Sequence, residues 1–151
     1  MRIWVDADGC SARVRETVRR ASERVGIPAE FVAAVPISIR RSTRIGVVRV
    51  PAGRDAADRH ILDRAEAGDL AVTADVPLAG ELVGMGVMVI HPRGDLFTEG
   101  NIGPRLSERN AMARLRAMGV STRTGSRRAQ DRHKRFADLL DSVLRKLAGP
   151  V

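Results

Sequence analysis

Ile3-Trp4-Val5-Asp6-Ala7-Asp8-Gly9-Cys10-Ser11 runs from a short apolar segment into two carboxylates and then a residue suited to start a helix. Ile3 to Asp6 reads as a strand. Ser11 reads as the N-cap of a helix that places Val14, Val18, Ala21 and Val25 at helical spacing and stops at Gly26. A strand that hands over to a helix, repeated along a chain, is the unit of a mainly parallel sheet. The two carboxylates sit where that strand ends.

The same alternation continues. A second strand is expected near Glu30 to Val35, followed by a polar, turn-prone stretch from Pro36 to Arg44 and a third strand from Ile45 to Val50. Pro51-Ala52-Gly53 breaks the chain before a helix over about Asp55 to Ala67, with Asp55 as its cap and Ile61, Leu62 and Ala65 facing inward. Asp63, Glu66 and Asp69 are expected on the solvated side of that helix or in the loop after it. Leu70 to Thr73 is a fourth strand, ending at Ala74-Asp75, and Pro77 suits the first turn of the helix that follows. Val87 to Ile90 is a fifth. After Pro92-Arg93-Gly94 no further strand is expected. Two helices, Arg105 to Met118 and Arg132 to Leu147, complete the chain, joined by a basic loop from Thr122 to Arg128. The prediction is one α/β domain over residues 1–151. It has a mainly parallel sheet of four or five strands flanked by helices, strand one beside strand four, and a helical C-terminal appendage.

Composition bounds the rest. A chain of 151 residues suits one domain and buries roughly 70% of its unfolded surface. Cys10 is the only cysteine, so no internal disulfide framework is possible, which fits a reducing compartment. Neither a signal-peptide stretch nor a run of the ~20 apolar residues that a membrane span needs is present, and the expectation is a soluble, cytoplasmic protein. The net charge is +8, with 24 of the 26 basic residues Arg. Residues 1–100 carry 14 basic and 14 acidic groups; residues 101–151 carry 12 basic and 4 acidic, so the whole excess lies in the last third. That asymmetry suits a polyanion-facing surface. It also suits solvated helix faces in an Arg-rich composition, and both readings stay open at this point.

The chemistry concentrates at strand ends. Asp6 ends strand one, Asp75 follows strand four, and Asp8 is two residues beyond Asp6. In an open α/β sheet, ligands bind beyond the carboxyl ends of the strands where strand order reverses. Adjacent strands lie ~5 Å apart, so carboxylates at that point repel, and the remedies are a bound cation or a raised pKa. Hard divalent ions take oxygen ligands, Mg²⁺ typically one or two carboxylates plus waters. Asp58, one turn into its helix, can reach the cluster from the side. Cys10 has no positioned base and reads as an inert small side chain, and His60, His91 and His133 are too scattered for a zinc site.

These blocks, with Gly68-Asp69-Leu70-Ala71-Val72-Thr73-Ala74-Asp75-Val76-Pro77-Leu78-Ala79, Pro92-Arg93-Gly94, the Arg109 segment and Arg135-Phe136 before Leu140-Asp141, resemble the YaiI/YqxD family over nearly the whole chain. Gly9 and Ser11 stand where that family tends to have Ala and Pro, Asn110 where it has Asp, and Thr124-Gly125-Ser126 where a Gly-Gly-Pro turn is usual. The resemblance implies a PIN-like fold, a superfamily whose active members are Mg²⁺- or Mn²⁺-dependent ribonucleases. Carried over by position, Asp6, Asp58 and Asp75 match its acidic cluster, with Asp8 close by. The expected partner is RNA, contacted through Arg123, Arg127 and Arg128 of the basic loop. Two other readings compete: a non-catalytic PIN-like module binding RNA or protein, and a haloacid-dehalogenase-like phosphatase with Asp6 as nucleophile and Asp8 as acid-base. Gly9 and the late positions of Lys134 and Lys146 count against the phosphatase.

Overall fold

A computed structural model describes residues 1–53, 55–119 and 126–148, the side chains of 116 and 126–129 excepted. Its strands are β1 (Ile3–Asp6), β2 (Ala29–Ala33), β3 (Ile45–Arg49), β4 (Leu70–Val72), β5 (Met88–His91) and β6 (Asp95–Phe97). Its helices are α1 (Ala12–Val25), α2 (Ala56–Arg64), α3 (Val76–Gly84), α4 (Glu99–Ala117) and α5 (Ser126–Ala148). The strands make one sheet in the order β3-β2-β1-β4-β5-β6, parallel except for β6. The chain enters in the middle, builds outward through β2 and β3, and returns to lay β4 on the other side of β1. Strand order therefore reverses between β1 and β4, where Ile3 pairs with Leu70 and Val5 with Val72. That is the expected pairing.

Alternation across the strands divides the core in two. Ile3, Val5, Phe31, Leu70 and Val72 face α1 and α5, which contribute Val14, Val18, Phe136, Leu140 and Leu144. Trp4, Val32, Ala71 and Val89 face the opposite way, onto Ile61 of α2 and Leu78, Ala79 and Leu82 of α3, with Ile102 and Leu106 of α4 at the margin. Of the two C-terminal helices, α5 lies on the sheet and its fully buried Phe136 completes one half of the core, whereas α4 packs against α3. Among the described residues no helix is long and apolar enough to cross a membrane.

Several boundaries differ from the sequence reading, each for a local reason. Asp95-Leu96-Phe97 forms a sixth strand, antiparallel to β5 through Val89–Phe97 and His91–Asp95 pairs; three residues are too few to show a period. The turn between them, Pro92-Arg93-Gly94, is closed by the Gly94 N–H donating to the His91 carbonyl at 2.9 Å. Gly94 has φ 93° and is pressed onto α5; a Cβ there would lie 2.6 Å from Arg135 Cβ and 2.7 Å from the Phe136 nitrogen. α4 starts at Glu99 rather than Arg105 because Thr98 and Asn101 bond each other's backbone amides at 3.2 and 2.8 Å, a reciprocal cap. α5 starts at Ser126, so Arg127 and Arg128 belong to a helix, not to the expected loop. α2 ends at Arg64, short of Ala67, because Asp69 draws the following turn inward: its carboxylate accepts the N–H of Glu66 at 2.9 Å, of Arg2 at 3.0 Å and the indole N–H of Trp4 at 3.1 Å. Asp69 is in the loop as expected but buried, not solvated.

Candidate functional site

β1 ends at Asp6 and β4 hands over to Thr73, so both reach the carboxyl edge at the reversal point. The Thr73 hydroxyl donates to Asp6 Oδ2 at 2.8 Å and accepts the backbone N–H of Asp75 at 3.0 Å. Asp75 is the N-cap of α3, with Oδ1 accepting the Leu78 N–H at 3.0 Å and Pro77 in the first turn. These bonds fix both carboxylates and leave Asp6 Oδ1 and Asp75 Oδ2 without hydrogen-bond partners among the described residues.

A short 3-10 turn, Ala7–Gly9, carries Asp8 across the end of β2. There its carboxylate accepts the N–H groups of Ala34 and Val35 at 2.7 and 3.3 Å. Asp58 lies in the first turn of α2, on the other wall. Asp55 occupies the N-cap position of α2 but makes no capping bond, which corrects the expectation of a cap; its backbone is left-handed, φ 68°. A non-glycine residue there is uncommon, Asp being among the more tolerant, and such residues gather at functional sites. Asp6, Asp8, Asp55, Asp58 and Asp75 line one cleft of about 460 Å³, together with Gly9 and Ala74.

The crowding shows in the electrostatics. Burial holds the Asp6 carboxyl above its ordinary range; the bond from Thr73 opposes this, and the charges of Asp75 and Asp8 add to it. Asp58 is pushed up to about 6, by burial first and then by Asp75, Asp6, Asp55 and Glu81. Burial first, and then the charge of Asp6, pushes the Cys10 thiol up to about 12. Among the described residues no three His, Cys, Asp or Glu side chains stand together at metal-ligand spacing. Asp6 and Asp75, each with one oxygen free of hydrogen bonds among the described residues, are the side chains that could hold a hard cation there.

The sequence reading names Asp6, Asp8, Asp58 and Asp75, all of which line this one cleft. It misses Asp55, which it assigned to a cap, and Thr73, whose Thr-x-Asp spacing is a local side-chain-to-backbone motif legible in principle. It groups Asp8 with the open carboxylates, whereas both Asp8 oxygens are occupied by backbone amides. Arg123 lies outside the described residues, as do the side chains of Arg127 and Arg128.

A family model described as "Uncharacterized BCR, YaiI/YqxD family" matches residues 4–146. The chain belongs to the YaiI/YqxD family. Relatives in that family include a UPF0178 protein of Myxococcus xanthus, 49% identical over 148 residues, covering 97% of this chain and 96% of that protein. A UPF0178 protein of Vibrio cholerae is 42% identical over 149 residues, covering 99% and 100%. One of Syntrophobacter fumaroxidans is 47% identical over 146 residues, covering 97% and 95%. No solved structure matches significantly. YaiI/YqxD membership thus spans both the sheet with its acidic cleft and the C-terminal helices.

Proposed function

We propose that this YaiI/YqxD protein is a divalent-metal-dependent nuclease that hydrolyses phosphodiesters, RNA first among them, in the acidic cleft. The observation that carries this reading is the gathering of Asp6, Asp58 and Asp75 at the β1–β4 reversal point, close enough that mutual repulsion helps to raise two of their pKa values. Carboxylates so placed are stabilised by a cation. Mg²⁺ or Mn²⁺ held there would activate a water and stabilise the departing oxygen of a phosphodiester.

The chain's own residues divide the work. Asp6 and Asp75 each offer one carboxylate oxygen that the fold leaves open, and Asp58 faces them from α2. Thr73 positions both by its two hydrogen bonds. Asp8 is a positioning residue that holds the backbone after β2. That role speaks against the phosphatase reading, in which Asp8 must be free to exchange protons. Base stacking is limited, because Trp4, Phe31, Phe97 and Phe136 are all buried. Binding is then dominated by phosphate contacts and tolerant of sequence.

The test is cleavage of a labelled short RNA in Mn²⁺ and in EDTA. The reading expects metal-dependent cleavage that Asp75→Asn abolishes. RNA binding without cleavage in the wild type, unaffected by Asp75→Asn, would instead establish the non-catalytic module.

A further inference from the structure

A second pocket, about 480 Å³, opens beside the acidic cleft between the β5–β6 turn, α4 and α5. Ala74, next to Asp75, lines both, and Gly9 and Ala74 line the groove that joins them. Its character is the reverse of the cleft's. Arg93 from the turn, Arg105 and Arg109 from α4 and Arg132 from α5 face it, against Asp95 and Glu108. Four guanidinium groups and two carboxylates leave two positive charges. Arg105 is paired with Asp95 at 3.3 Å and Glu108 at 3.8 Å, and Asp95 is also held by Arg135 at 2.9 Å. Arg93, Arg109 and Arg132 make no ion pair among the described residues.

His91 adds a donor. Its Nδ1 accepts the Arg93 N–H at 2.9 Å, so the neutral ring carries its proton on Nε2. The ring is kept neutral, its pKa lowered to about 4 by burial first and then by Arg93, with Arg105 and Arg132 adding to the effect against Asp95. Unpaired guanidinium groups converging on a concavity of this size, with Phe97 and Met112 as apolar walls, suit a phosphate joined to a nucleoside. A terminal phosphate carries close to two negative charges near neutral pH, against one for a backbone diester. The two net positive charges match the terminal group.

We propose that this pocket is a subsite for the terminal phosphate of a single-stranded nucleic acid, whose backbone then passes over Gly9 and Ala74 into the acidic cleft. The strand's onward path rests on the nuclease reading; phosphate capture does not. Gly94 makes the pocket possible, since the close approach of the turn to α5 brings Arg93 and Arg132 to the same wall.

The test is fluorescence anisotropy in EDTA with a short uridine-only RNA carrying a 5′-phosphate, a 3′-phosphate or hydroxyls at both ends. One phosphorylated end should bind about tenfold more tightly than the hydroxyl form, the effect of one charge-assisted hydrogen bond or more. Arg93→Ser with Arg132→Ser should erase that preference, and Asp75→Asn should keep it. Met112→Glu, which puts a carboxylate into the pocket from α4 and leaves the arginines in place, should erase it too and guards against misfolding of the double variant. Equal affinity for all three RNAs overturns the proposal. Uridine monophosphate competing as well as phosphorylated RNA would assign the pocket to free nucleotides and overturn the strand assignment. An end preference in EDTA without cleavage in Mn²⁺ would sink the nuclease reading alone.

Discussion

Thr73 and Asp6 meet across the β1–β4 junction, hydroxyl to carboxylate at 2.8 Å, and the same hydroxyl accepts the Asp75 N–H at 3.0 Å. One side chain thus sets the position of two carboxylates, one at the end of β1 and one at the N-cap of α3. Thr73→Val keeps the shape and removes both bonds, leaving the Asp75 N–H without its partner and Asp6 without its one stabilising donor. The expected cost is about 1–3 kcal/mol of unfolding free energy in urea. The Asp6 pKa should rise further, and Mn²⁺ affinity should fall with it.

Asp58 makes a pH prediction whose sign is fixed. Its folded value of about 6 lies above the ordinary Asp range, so the folded state binds a proton that the unfolded chain has released. The stability contributed is present below the unfolded pKa and lost as pH rises through about 6. Asp58→Asn should therefore melt higher than wild type at about pH 7.5, the gap closing towards about pH 4. Mn²⁺ should raise the wild-type melting temperature on the alkaline side of that window and much less on the acid side, because it binds the ionised cluster.

Asp69 is the contrasting acid, buried and saturated by three N–H donors. Asp69→Ala should cost about 3 kcal/mol, since it strands the indole N–H of Trp4 and two backbone donors. Mn²⁺ titration of the folded variant should match wild type, which separates a structural carboxylate from the cleft's.

Gly94→Ala should be costly out of proportion to its size. Its φ of 93° is left-handed, and the new methyl would meet α5 backbone and the Arg135 Cβ at 2.6–2.8 Å. About 2 kcal/mol or more is expected, read from urea unfolding.

What the sequence revealed followed the range of the interactions. Strand ends, the Ser11 cap, the Gly26 stop and Pro77 in the first turn of α3 are local, and they marked out β1 and β4 with Asp6 and Asp75 after their apolar runs. The role of Asp8 was hidden because its partners, Ala34 and Val35, lie 26 and 27 residues away. Asp69 was hidden likewise, its bonds to Arg2 and Trp4 spanning 67 and 65 residues. Asp55 looked like a cap because composition does not report a left-handed backbone. The sixth strand needed β5 beside it to exist at all. The arginine pocket is assembled from a turn and two helices, so no single motif announces it.

The central claim is that the cleft holds a divalent cation between carboxylates, and the most direct measurement is a crystal soaked in Mn²⁺ with data collected for anomalous scattering. The account predicts a peak within coordination distance of Asp6 Oδ1 and Asp75 Oδ2, lost in Asp6→Asn. An anomalous map with no peak in the cleft, at millimolar Mn²⁺ and with both carboxylates ordered, would contradict it.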